Sequence, residues 1–301
     1  MKHYIGIDLG GTNVRVAKVD EEGKIVQDVI APSHGTEGPQ VIEGVMLDLI
    51  KQFDLSDVEG IGMAIPGPVD GVTNLITQAT NIPGCAGYPF AQNMEKATGV
   101  KVFLDNDANA AGLAEAVLGA GKGYKIVYYL THSTGIGAGF IIDGKIIQGH
   151  KGYCGEVANV IVDPEAKQYA CYKGLNKGGV ESVASGRALG LFGHDLIGEE
   201  VQGGSDVFKL AAQGNKVALD LIDKMSKNFA QCIADIFAIV APDCIVIGGG
   251  VTHSSDMYFD KLKNYLHEMT APGMADVPIL KATLKEPGVL GAAMIARSRC
   301  E

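Results

Sequence analysis

No apolar run in this chain approaches the ~20 residues that a bilayer-spanning helix needs. The N-terminus carries no signal-peptide pattern, so neither a membrane span nor export is expected. Basic residues are in the minority: 25 Lys and Arg stand against 35 Asp and Glu, a formal net charge of −10. Such a surface repels nucleic acid and anionic lipid, which removes both from the expected partners. The six cysteines (Cys85, Cys154, Cys171, Cys232, Cys244 and Cys300) are scattered and include no C-x-x-C pair. Without export signals they read as reduced thiols of a cytoplasmic protein, each a small buried hydrophobe.

What the chain does have is core-forming material: 47% of its 301 residues are hydrophobic and 20% charged, a globular composition with length enough for two lobes. It also has an internal echo. Strand-like Tyr4–Leu9, a Gly/Thr turn, Val14–Val19, a Glu-Gly turn and Ile25–Gln27 return about 120 residues later. The second copy is Ile126–Thr131, another Gly/Thr turn, Ala138–Ile142, the turn Asp143-Gly144 and Lys145–Gln148. Apolar β-branched runs cut by such punctuation are what hairpins require. The same meander used twice predicts two similar lobes facing each other.

Between and after the echoes the pattern alternates between helix and strand. Helical spacing covers 41–53, 91–98, 108–118, 180–192, 206–213, 216–240 and 289–296; strands are expected at 60–65, 100–104, 244–247 and 277–283. An α/β protein with mixed sheets, one per lobe, follows. The expected lobes are 1–118 and 119–287, separated near 117–125, with a C-terminal helix at about 288–301 returning to the first.

Asp8-Leu9-Gly10-Gly11-Thr12-Asn13 lies between two strands; it is neither a Walker A loop nor G-x-G-x-x-G, yet its chemistry suits phosphate. Glycines bring backbone N–H groups close to an anion, and Thr12 and Asn13 add side-chain donors. A carboxylate leaving a buried strand, as Asp8 does, is costly unless something such as a Mg²⁺ ion, held through water, compensates it. A lone glycine turn is as well explained by an ordinary hairpin. The matched turn Ser133-Thr134-Gly135-Ile136-Gly137 favours two turns gripping a triphosphate, and Gly248-Gly249-Gly250 after a buried strand could let adenosine lie on the backbone.

Asp105-Asn106-Asp107-Ala108-Asn109 follows a strand and opens a helix. One of these residues is expected as the N-cap, but a single cap leaves other polar side chains at the strand's carboxyl end, where α/β proteins bind ligands. Asp107 is assigned as the base that accepts a hydroxyl proton, and Asn106 as a holder of neighbouring hydroxyls. The helix N-terminus should keep Asp107 ionised and hence a weak base.

These residues jointly resemble the ROK family (repressors, open reading frames and kinases). The resemblance rests on Asp8-x-Gly-Gly-Thr-Asn, Pro66-Gly67-Pro68-Val69-Asp70, Asn81-Ile-Pro-Gly84 and Asn106-Asp107-Ala-Asn-Ala-Ala. It continues through Thr134-Gly-Ile-Gly137, Gly155-Glu156 and Pro242-Asp-x-Ile-Val-Ile-Gly-Gly-Gly250, from residue 4 to about 296. It implies an actin-like, hexokinase-type (ribonuclease H-like) fold and an ATP-dependent sugar kinase. It implies Asp107 as base, with Gly67, Asn81, Asn106, Glu156, Asn159 and Glu181 on the sugar side. It places Gly10–Thr12 and Thr134–Gly135 on phosphates, with Ser133 standing where a glycine is common but still compatible with phosphate binding, implies ATP and Mg²⁺, and suggests a homodimer. The family usually carries Gly-Glu-Ile-Gly-His and a cysteine cluster that bind zinc. Here the stretch is Gly155-Glu156-Val157-Ala158-Asn159, and only Cys171 of the cluster remains. One thiolate cannot build a four-coordinate site, so no structural zinc is expected.

Glu156 and Glu181 on their own residues read equally as surface charge or helix capping, and His132 and His150 as ordinary histidines. A sugar-responsive repressor needs a DNA-reading module ahead of residue 3 and a basic footprint, neither of which the sequence offers. A non-catalytic sugar sensor is opposed by the intact Asp107. The expected reaction is γ-phosphate transfer to a hexose hydroxyl, O6 of glucose first, with an N-acetylhexosamine or fructose as alternatives.

Overall fold

Strict alternation in His3–Leu9 (β1) sends Ile5, Ile7 and Leu9 to one buried face and Tyr4 to the other, the pattern of a strand covered on both sides. In the computed structural model, which describes residues 2–79, 81–167 and 174–300, β1 is the centre of a five-stranded sheet. It pairs antiparallel with β2 (Asn13–Asp20), which pairs with β3 (Ile25–Pro32). After helix α1 (Pro39–Ile50), β4 (Val58–Ile65) returns parallel to β1. A small hairpin of β5 (Val69–Asp70) and β6 (Leu75–Ile76) and helix α2 (Phe90–Thr98) precede β7 (Val102–Asn106), parallel to β4. Helix α3 (Asp107–Val117) follows without a linker.

The echo in the sequence is an echo in topology. β8 (Ile126–His132), β9 (Ile136–Ile142) and β10 (Lys145–Ile146) form a second meander. Asp143 and Gly144, at φ 50° and 69°, make its tight turn. Helices α4 (Val180–Ala184), α5 (Gly186–Leu196), α6 (Gly204–Ala212) and α7 (Lys216–Val240) lead to β11 (Cys244–Gly248). Helix α8 (Phe259–Met269), β12 (Ile279–Lys281) and α9 (Pro287–Cys300) complete the chain. The strand orders β3-β2-β1-β4-β7 and β10-β9-β8-β11-β12 are the same plan used twice.

The chain divides into two units: Met1–Tyr129 with Gly139–Gly155 and Thr283–Glu301, and Leu130–Ala138 with Glu156–Ala282. The division runs through β8 and β9 rather than through the glycine-rich stretch 117–125. In the first unit, α1 and α2 cover one face of the sheet through Ile42, Met46, Leu49, Phe90 and Met94. Helix α9 covers the other, with Val289, Leu290, Ala293 and Ala296 packed on Tyr4, Ala17 and Val19. α9 lies on the strands backbone to backbone because β1 and β4 place Gly6 and Gly62 beneath it. A Cβ at Gly6 would meet the carbonyl oxygen of Val289, and one at Gly62 that of Ala292. Gly62→Ala is therefore expected to lift α9 and cost ~3 kcal/mol, read as a lower urea midpoint; an unchanged midpoint would mean α9 yields freely.

In the second unit α7 is the long core helix, with Leu221, Ile222, Met225, Phe229, Ile233, Ile236 and Phe237 buried along one stripe. Asn215 caps its start and Ala241, at φ 47°, ends it. His132 is fully buried against the Phe229 ring. Its Nε2–H donates to Ala184 O (2.8 Å) and its Nδ1 lies 3.1 Å from the Tyr258 hydroxyl, while burial pushes its pKa down to about 4. It is a neutral core histidine. Cys85, Cys232 and Cys244 are buried free thiols as expected, whereas Cys154 is half-buried and Cys300 is exposed; Cys171 lies outside the described residues. No helix is long and apolar enough to cross a membrane among the described residues.

Candidate active site

Each unit carries its own part of the predicted site. In the first, parallel register sets the geometry: Asp8 on β1 pairs with Ala64 on β4, and Ala64 with Asp105 on β7. The carboxyl ends of three strands therefore deliver Asp8 and the 105–109 cluster to one edge of the sheet, where α/β proteins bind ligands. Asn106 is the N-cap of α3: its Oδ1 accepts from Ala108 N–H (2.8 Å) and Asn109 N–H (3.2 Å). Its Nδ2 donates to Gly67 O (3.3 Å), so much of an amide assigned to sugar hydroxyls is already engaged within the protein. Gly67, at φ 102°, has no room for a Cβ beside Gln78 O, and Asn81 is exposed.

Asp107 opens α3 and is the solvent-exposed member of the cluster. The protein packed around it nevertheless strips its carboxyl of hydration and pushes its pKa up to about 6, against hydrogen bonds from Ala108 N–H and the Asn106 side chain. With its pKa raised to about 6, Asp107 is still ionised at neutral pH, as expected of a carboxylate at a helix start, and is more basic than an ordinary aspartate. Asp8 is likewise pushed up to about 6, by burial first and then by the charges of Asp107 and Glu286, with Arg15 opposing.

The turn between β1 and β2 is closed by Gly10 N–H to Asn13 O (2.8 Å), and Ser33 N–H donates to Thr12 O (2.8 Å). No acceptor among the described residues takes the N–H groups of Gly11 and Thr12. Asn13 begins β2, paired with Pro32, and is exposed. Two free amides beside a turn are an anion cradle. Asp8 has the chemistry of a partner for Mg²⁺: no protein donor reaches its oxygens, and neighbouring carboxylates raise the value of a cation there. Among the described residues no three His, Cys, Asp or Glu are grouped as a metal site.

The second unit repeats the device. Ser133 N–H bonds Gly135 O (2.9 Å), and Ile136 N–H donates to Glu181 Oε2 (2.7 Å). The start of α5 ties the turn from behind, Gly186 N–H to Ser133 O (2.8 Å) and Arg187 N–H to Thr134 O (3.2 Å). The Thr134 and Gly135 N–H groups have no acceptor among the described residues, the same pair of open donors as at Gly11 and Thr12. Glu181, assigned to sugar, is buried and buttresses this turn with one oxygen; burial raises its pKa. The predicted helix over 180–192 is accordingly two helices. Ser185, in extended backbone, breaks it and caps α5 by accepting Ala188 N–H (3.1 Å), which frees the α5 amides for the turn.

Gly248 ends β11 and Gly249, at φ 90°, sits so close to the backbone of His132 that a Cβ would strike its carbonyl. Thr134 and Gly250 line one cavity of about 720 Å³ with Arg187, Gln202, His253 and Ser254, a volume that accommodates a nucleoside. Those last four residues were not legible as a site, because α5, the loop before α6 and the turn after β11 contribute them from separate stretches. Glu156 is exposed. Asn159 is exposed too and its side chain fastens the segment before α4: Oδ1 accepts Asn176 N–H (2.7 Å) and Nδ2 donates to Gly174 O (3.3 Å). Cys171, the remaining member of the zinc motif, lies outside the described residues.

A protein named glucokinase from Thermotoga maritima is 30% identical over 311 aligned positions, covering 98% of this chain and 97% of that relative. An N-acetylmannosamine kinase from Escherichia coli is 28% identical over 295 positions, 97% of this chain and 98% of the relative. Among solved structures, a ROK family glucokinase from Streptomyces griseus, in complex with glucose and AMPPNP, superposes with a TM-score of 0.80 at 28% identity, over 98% of this chain and 99% of that one. The fold is the mixed α/β, actin-like fold of the hexokinase type. The ROK family model matches residues 4–299, and the chain belongs to the ROK family.

Proposed function

We propose that this protein is an ATP-dependent kinase that phosphorylates a hexose, with glucose the first candidate substrate and O6 its acceptor atom. The observation that carries the reading is the place of Asp107: an exposed carboxylate at the start of α3, directly after the carboxyl end of β7 and near Asp8, with a pKa raised to about 6. Such a group is ionised at neutral pH and basic enough to take a hydroxyl proton as the hydroxyl oxygen attacks phosphorus. The open amides of Gly11 and Thr12, and of Thr134 and Gly135, suit phosphate oxygens, and the cavity beside Gly250 suits adenosine. Asp8 would hold Mg²⁺ through water, and the ion when bound supplies charge neutralisation on the phosphates. Glu156, Asn159 and the remaining hydrogen-bonding capacity of Glu181, Asn106 and Asn81 are the residues offered to sugar hydroxyls. The similarity of the Escherichia coli relative, close to that of the Thermotoga maritima one, makes N-acetylmannosamine the second candidate. We place the enzyme in the cytoplasm, as a homodimer.

The test is ADP release with Mg·ATP against glucose, mannose, fructose, N-acetylglucosamine and N-acetylmannosamine across pH. Turnover should depend on one sugar and fall as pH drops through about 6, because protonation removes the base. Asp8 and Asp107 titrate in the same range and interact, so the acid limb belongs to the pair. No sugar-dependent ADP release at any pH would overturn the kinase reading. A limb that stays flat down to pH 4 would remove Asp107 as the base.

A further inference from the structure

A second cavity, of about 640 Å³, lies wholly within the first unit, between the β5–β6 hairpin, β10 and the end of α9. Its walls bring together Lys145, Arg299, Gln148, Ser298 and Asp105. Lys145 is exposed on β10 and its ammonium has no ion-pair or hydrogen-bond partner among the described residues, although the chain carries ten more acidic than basic residues. Arg299 uses a single N–H, from Nη2 to Asp105 Oδ2 at 3.1 Å, and its guanidinium lies over the Phe103 ring, 6.0 Å from the centroid. The rest of its donor fork is uncommitted. Asp105 is the one acidic residue in the lining, so the cavity is net positive by one charge.

Asp105 is also the link to the catalytic turn. It is 1% exposed, and its two oxygens face different ways. Oδ2 receives Arg299 and, at 2.7 Å, Gln148 Nε2 from the cavity. Oδ1 receives Asn106 N–H and Asn109 Nδ2, both at 2.9 Å, from the turn that carries Asp107. We propose that this cavity binds a small phosphate dianion, free or as a sugar phosphate ester, between Lys145 and Arg299, and that occupancy is felt at the Asp107 turn through Asp105. A guanidinium fork and an unpaired ammonium facing one concavity are the donor set that phosphate recognition uses. An anion there competes with Asp105 for Arg299, and the carboxylate then turns toward its partners in the 106–109 turn. The inference does not depend on which sugar the enzyme phosphorylates, and its test needs no turnover.

Isotope-labelled protein would be titrated with sodium phosphate and, separately, glucose 6-phosphate at constant ionic strength, following backbone amide resonances. The amides of Val72, Ile146 and Ser298 should shift together and saturate, with smaller concerted shifts at Asn106 and Ala108. Lys145→Ala, a surface change that leaves the fold intact, should weaken this binding at least ~10-fold, the worth of one charge-assisted contact. Tighter binding of glucose 6-phosphate would identify the ester as the occupant, and equal binding the bare phosphate. Absence of saturable shifts at the three cavity amides, or equal affinity in Lys145→Ala, would overturn the proposal.

Discussion

Asp107→Asn is expected to lower turnover by ~10²–10⁴-fold while leaving the protein at least as stable as the wild type at neutral pH. The first half follows from the loss of the base: an amide cannot accept the hydroxyl proton. The second half follows from the sign of the pKa shift. The folded-state pKa of Asp107 is raised to about 6 from an ordinary 3.8, so its favourable contribution is complete only below about 3.8 and is lost as pH rises through about 6. At neutral pH the charge is thus a liability to the fold, moderated by its exposure to solvent. Asn removes that charge and keeps an oxygen for Ala108 N–H, and Asn106 remains as the cap. Melting temperature and turnover measured on the same preparation check both halves. A variant that melts well below wild type would show Asp107 to be structural, and near-normal turnover would end its assignment as base.

The same balance explains why the candidate site residues stand out in the sequence. Residues that bind phosphate or move protons break local rules, and a carboxylate at the end of a buried strand or a glycine pair between strands stands out against period-2 alternation. The meanders, the α3 cap and the buried α7 stripe are local patterns, and they were readable as such. What failed was non-local. The break at Ser185 is announced locally only by the Ser185-Gly186 pair, and the tertiary contacts that go with it, the α5 amides bonded to Ser133 and Thr134, come from some 50 residues earlier. Helix α8 was also missed, although Phe259, Leu262, Leu266 and Met269 fall at helical spacing along it and Leu262 and Leu266 are buried. Glu181 suggested a sugar ligand or a cap, and its contact with Ile136 N–H depends on a turn 45 residues away.

Glu115 is the sharpest such case, and it yields the second large expectation. Within Ala108–Leu118 it reads as one polar residue of an alanine-rich helix, yet it is completely buried. Oε1 accepts Thr283 N–H at 2.9 Å and Leu284 N–H at 2.8 Å, and Oε2 accepts Ala120 N–H at 2.8 Å. One carboxyl thus fastens the end of α3 to the segment after it and to Thr283, where the chain re-enters the first unit. Each backbone donor left unmet costs ~1–3 kcal/mol, less where water can reach it. Since Thr283 is itself exposed and Ala120 and Leu284 are half-buried, Glu115→Ala should cost ~3 kcal/mol rather than the full sum. Glu115→Gln should recover about half, because its oxygen can serve Thr283 and Leu284 while its NH₂ opposes Ala120 N–H, donor against donor. Chemical denaturation of the two variants reads this ranking directly. Equal stability of Glu115→Ala and wild type would mean that solvent replaces the carboxyl at no cost, whereas the expected order places the main tie of α3 at the end opposite to Asp107.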